Sequence, residues 1–86
     1  MYLHVGQNVV VPMDSIIGIF DTDKTTQSYI TRAFLSRAEK EGCIINVSED
    51  LPNSFVIVSV DGQFRVYLSQ LSSATLFKRC EAGIFE

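Results

Sequence analysis

The strongest constraint on the fold sits late in the chain, where Asp61-Gly62 separates two strand-like runs. Ahead of it, Phe55-Val56-Ile57-Val58-Ser59-Val60 is a nearly continuous apolar run, which marks it as the central strand. Behind it, Gln63-Phe64-Arg65-Val66-Tyr67-Leu68 alternates, with Phe64, Val66 and Leu68 on one face and Arg65 and Tyr67 on the other. Asp-Gly between such runs predicts a two-residue type I′ turn, because both central residues of that turn need positive φ. An antiparallel hairpin is therefore the most secure sheet element.

The opening of the chain repeats the theme. Tyr2-Leu3-His4-Val5, a turn at Gly6-Gln7-Asn8 and Val9-Val10-Val11 read as a second hairpin, which Pro12 ends because it cannot donate to a central ladder. Ser15-Ile16-Ile17-Gly18-Ile19-Phe20 is a third strand, apolar on both faces, and Gly18 inside it predicts a bulge or a close approach. Cys43-Ile44-Ile45-Asn46-Val47 is a further strand, followed by the polar loop Ser48 to Ser54 with Pro52.

Two segments switch to helical period. From about Thr26 to Glu41, Ile30, Ala33, Phe34, Arg37 and Ala38 share a stripe that Leu35 broadens. Asp23, Thr25 or Thr26 supplies the cap, Arg37 faces Glu41 at i+4, and Gly42 sits where a left-handed residue ends a helix. The second helix runs from about Ala74 to Glu81, with serines 72 and 73 as caps and a narrow stripe of Leu76, Phe77 and Cys80. Lys78 and Arg79 lie on its other side, and Gly83 precedes the large apolar pair Ile84-Phe85. The fold class is thus α+β: one domain spanning residues 1–86, a small mostly antiparallel sheet of six short strands, and two helices.

Composition now adds a constraint. A chain of 86 residues is one domain, and at this size folding buries only about 60–65% of the unfolded chain's surface. Yet 47% of the residues are hydrophobic, with six Phe and three Tyr. That excess predicts cover from another copy or from a partner, and Ile30, Phe34, Leu35, Phe77, Ile84 and Phe85 are the candidate oligomer contacts. No apolar run reaches the ~18 residues of a membrane span. Met1 leads directly into a strand-like run without a basic leader, so a cytoplasmic location is expected, and Cys43 and Cys80 read as small core hydrophobes.

Chemistry is scarce. His4 stands alone on a short strand and reads as structural. Asp14, Asp21 and Asp23 lack the alternation, glycine and closing Glu of a calcium loop and read as turn and cap carboxylates. There is no phosphate-cradling glycine loop and no nucleophile elbow, so no catalytic residue, metal site or cofactor is expected. A net charge of −3 argues against strong non-specific nucleic-acid binding but leaves room for a local basic face. Arg65 beside Tyr67, with Lys78 and Arg79 on the next helix, are the candidates for such a face, against the alternative of ordinary solvated charges.

Two stretches, Met1-Tyr2-Leu3-His4-Val5-Gly6 through Ser15 to Asp21 and Leu71-Ser72-Ser73-Ala74-Thr75-Leu76-Phe77-Lys78-Arg79, resemble the RemA/RemB family of bacterial extracellular-matrix regulators, and its RemB-like branch in particular. The likeness runs in order over essentially the whole chain. It implies a cytoplasmic regulator of biofilm-matrix genes, and for the RemA branch it implies ring-shaped homo-oligomers that bind DNA around the rim, with helices packed between subunits. The positions where that branch carries DNA-contacting arginines fall near Ser15 and near Leu51-Pro52, and here the loop carries Glu49 and Asp50 instead. Two functions follow: an oligomer that binds DNA through repeated weak contacts at Arg65, Lys78 and Arg79, or an adaptor that binds a RemA-like relative through its acidic loop. Neither involves a membrane.

Overall fold

The computed structural model describes residues 2–22, 29–49 and 51–82. Strands β1 (Tyr2–Gly6) and β2 (Val9–Pro12) form a two-stranded antiparallel hairpin. A 3₁₀ turn, Met13–Ser15, follows and is closed by the Ser15 hydroxyl donating to the Pro12 carbonyl at 2.7 Å. Next come β3 (Ile16–Asp21), helix α1 (Tyr29–Lys40), β4 (Ile44–Asn46), β5 (Ser54–Val60), β6 (Gln63–Ser69) and helix α2 (Ser73–Ala82). The last four strands make one sheet in the order β3-β5-β6-β4. The expected α+β class is what forms, with six strands and two helices among the described residues.

The Asp61-Gly62 turn carries the positive φ values it predicts, 52° and 80°, and β5 is central as expected. β3 and β6 both run antiparallel to β5, whereas the short edge strand β4 runs parallel to β6. Parallel pairing there follows from connectivity: α1 carries the chain from one edge of the sheet to the other. Its C-terminal end is a Schellman cap. Gly42, at φ 74°, donates to Glu39 at 3.1 Å, and Cys43 donates to Ala38 at 2.9 Å.

Gly18 meets both of its expectations. The β3–β5 register shifts between Ile16 and Gly18, which leaves Ile17 as the bulged residue, 57% exposed. The Phe20 ring then folds over Gly18, where a Cβ would lie 2.6 Å from it, and stacks on Phe55 at 5.2 Å. Any side chain at residue 18 would evict that ring.

The two faces of the sheet are covered unequally. On one, the hairpin and α2 enclose Leu3, Val5, Val11, Ile19, Val47, Val56, Val58 and Leu76, all buried. On the other, α1 completes burial of only Ala38, Phe55 and Val66, with Phe20, Phe34, Leu35, Ile44, Ile57 and Leu68 packed around them but half-buried.

Two serines hold the well-covered side. Ser54 and Ser69 are opposite one another in the β5–β6 register, and both are fully buried. Ser54 donates to the Leu71 carbonyl at 2.8 Å. Ser69 donates to the Val5 carbonyl at 2.6 Å and accepts from the Leu71 amide at 3.1 Å. Together they tie β1 and the start of α2 to the sheet. Ser69→Ala would orphan a buried carbonyl and an amide, so urea unfolding is expected to show a loss of about 2 kcal/mol. Ser72→Ala, which removes the α2 cap hydroxyl that Thr75 donates to at 3.1 Å, is expected to cost about 1 kcal/mol.

Candidate nucleic-acid interface

Arg65 occupies the β6 position opposite Val58, whose side chain is in the core under the hairpin and α2. Residues paired across strands point to one face, so Arg65 faces the same side as α2. Its exposure arises because cover stops short of the β5–β6 turn, and its neighbours Gln63 and Phe64 are exposed too. Tyr67, the aromatic that shares its face, is half-buried against the core and is less available for stacking than alternation suggests.

Helix α2 brings the other two cations to that face. Ser72 caps it, Leu76 is buried as the sequence stripe predicts, and Cys80 reaches the Met13 sulfur at 3.9 Å. Phe77 departs from the stripe: at 49% exposure it lies outside the core, because Leu76 and Cys80 fill the contact with the hairpin and the 3₁₀ turn. Lys78 is exposed. Arg79 is half-buried, and its Nη1 donates to the His4 carbonyl at 3.0 Å. Among the described residues, neither Arg65 nor Lys78 forms an ion pair; Arg37 and Glu41 do, at 3.4 Å on the exposed surface of α1.

Arg79 therefore has a structural duty that spacing did not reveal. His4 shares it: its Nε2 donates to the Gln7 carbonyl at 2.5 Å and so closes the β1–β2 turn, while its own carbonyl receives Arg79. Asp14 is exposed in the 3₁₀ turn and Asp21 ends β3, whereas Asp23, Thr25 and Thr26 lie outside the described residues. No group of three or more His, Cys, Asp or Glu among the described residues could hold a metal ion.

The candidate oligomer contacts gather mostly on the other face. Ile30 is 65% exposed, and Phe34 and Leu35 pack half-buried over the thinly covered side. Ile84 and Phe85 lie outside the described residues, as does Asp50 of the acidic loop. The sequence reading missed three members of this surface. Phe20 and Ile57 are half-buried there, and Phe64, beside the end of α1, is 54% exposed. Leu51, beside exposed Glu49, is 89% exposed.

This is the geometry of a small α+β domain, with Arg65 and Lys78 exposed on the side that carries the hairpin and α2, and an apolar, half-covered opposite face. Residues 2–80 match the model of the RemA-like family, described as extracellular matrix regulatory protein A-like. The chain is also 36% identical over 81 residues to extracellular matrix regulatory protein B of Bacillus subtilis (strain 168), covering 94% of this chain and 91% of that relative. The chain belongs to the RemA-like family of extracellular matrix regulatory proteins. No helix among the described residues is long and apolar enough to cross a membrane.

The placement of the cations separates their roles. Arg79→Gln is expected to lower stability by about 1–2 kcal/mol, since a half-buried carbonyl loses a charged donor. Lys78→Gln, at an exposed position, is expected to stay within about 0.5 kcal/mol of the parent in the same urea titration.

Proposed function

We propose that this chain is a homo-oligomeric regulator of extracellular-matrix gene expression, working in the cytoplasm without catalysis and binding DNA through weak basic contacts repeated around a ring. The observation that carries the reading is the exposed, unbridged pair Arg65 and Lys78 on one sheet face, beside the half-buried Arg79. One such pair is a feeble phosphate site. Repeated on a rigid assembly, however, the contacts add through effective concentration. The thin cover over Phe20, Phe34 and Ile57, together with exposed Ile30, supports the assembly half of the proposal.

A second reading has its own observation. Leu51 and Glu49 are both exposed on the loop before β5, a combination suited to a basic, apolar partner such as a RemA-like relative. Under that reading the chain is an adaptor and does not touch DNA.

Gel shift of AT-rich duplex at about 50 mM salt distinguishes them, since low salt favours counterion release most. The first reading expects a shift that weakens steeply with salt and is lost in Arg65→Glu/Lys78→Glu. A parent protein that shifts no duplex at that salt would overturn it. The second expects Glu49→Lys/Asp50→Lys to abolish capture of the relative.

A further inference from the structure

Two open hollows meet at the loop between β4 and β5. One, of about 520 Å³, is lined by Asn46, Val47, Ser48, Glu49, Leu51 and Pro52. The other, of about 460 Å³, shares Val47, Ser48 and Glu49 and reaches the β1–β2 turn at Gln7. Val47 is buried beneath them, whereas Leu51 stands 89% exposed at the rim. Among the described residues, Glu49 is the one charged group that lines either hollow, and no lysine or arginine does.

Both walls are fastened to the domain. Gly6, at φ 132°, packs so closely that a Cβ there would lie 2.8 Å from Gln70 Oε1 and 3.1 Å from Val47 Cγ1. The His4 ring holds the Gln7 carbonyl beside it. Across the hollows, the Val47 amide donates to the Leu68 carbonyl at 3.1 Å, and the Asn53 amide donates to Ser69 at 2.8 Å. The Asn53 side chain donates to the Gln70 carbonyl at 2.7 Å, and the Thr22 hydroxyl to the Pro52 carbonyl at 3.2 Å. A loop tied down on both sides of Leu51 leaves a partner little to order, so contacts made there are not offset by fixing the backbone.

We infer that these hollows receive an extended segment of a partner protein in which a lysine or arginine lies within two residues of an aliphatic side chain. Charge complementarity selects the cation: Glu49 pairs with it, whereas a phosphate or an acidic segment is repelled. The spacing follows from the loop, since Glu49 and Leu51 are two positions apart and an extended chain spans about 7 Å in two residues. Apolar contact at Leu51 and Pro52 then carries most of the affinity, because an exposed ion pair alone contributes little. The inference rests on the adaptor reading above and specifies what the partner presents to the loop.

Fluorescence anisotropy of the full chain with labelled hexapeptides tests it, using alternating leucine and arginine, alternating serine and arginine, and alternating leucine and glutamate. Only the leucine–arginine peptide is expected to bind. Leu51→Ser is expected to weaken that binding at least about tenfold, the factor that covering a leucine contributes. Glu49→Lys is expected to weaken it more than Glu39→Lys does, Glu39 being an exposed glutamate of α1 outside both hollows. Equal binding of the serine–arginine peptide, or equal loss in Glu39→Lys, would mean general attraction to an acidic chain and overturn the inference. Unchanged binding in Leu51→Ser, or binding of the leucine–glutamate peptide, would overturn it by placing the contact elsewhere. If no peptide binds while Glu49→Lys/Asp50→Lys still abolishes capture of the relative, the segment assignment alone is overturned. A parent chain that captures no relative would overturn the adaptor reading and this inference with it.

Discussion

A four-stranded sheet has two faces, and this chain commits its covering material to one of them. The hairpin and α2 are fastened there by the buried hydroxyls of Ser54 and Ser69, which stand opposite each other and bond three backbone groups above the sheet. Leu3, Val5, Val11 and Leu76 then close a buried apolar core over Val56 and Val58. What remains for the other face is α1, twelve residues long, which completes burial of Phe55 and Val66 but leaves Phe20, Ile57 and Phe34 half-covered. A domain this small cannot bury much more on its own. Both the exposed cation at Arg65 and the half-covered apolar face follow from that imbalance.

The same architecture distributes charge. Arg65 is exposed because the hairpin and α2 do not reach the β5–β6 turn, and Lys78 because α2 turns Leu76 and Cys80 inward. Arg79 sits between the two situations, tethered through one nitrogen to the His4 carbonyl. The arginine fork has five donors, so this tether leaves other N–H groups on the same side chain. The exposure of Arg65 is thus a by-product of incomplete cover on the better-covered face, while the apolar groove beside Phe20, Phe34 and Ile57 is a by-product of incomplete cover on the other.

Much of the fold was legible because local rules and tertiary packing agree. Asp61-Gly62, Gly42 and the Ser72 cap each satisfy a backbone requirement that a few adjacent residues decide. Gly18 was legible as an exception, though which of its two explanations held required seeing Phe20, and both hold. The parallel pairing of β4, the separation of β1–β2 into its own sheet and the 3₁₀ turn were not legible, since each depends on long-range docking. The site was harder. Alternation places Arg65 and Tyr67 on one face but cannot say where cover stops, so it does not separate exposed Arg65 from half-buried Tyr67, nor exposed Phe64 from buried Val66. Helical spacing likewise could not show Arg79 reaching a carbonyl 75 residues away in sequence.

The proposed assembly requires another copy of the chain to cover the half-covered face. Native mass spectrometry or light scattering on the full chain tests it most directly. A single species at a multiple of the 9.6 kDa chain mass is the predicted result. A stable monomer at micromolar concentration and low salt would contradict it.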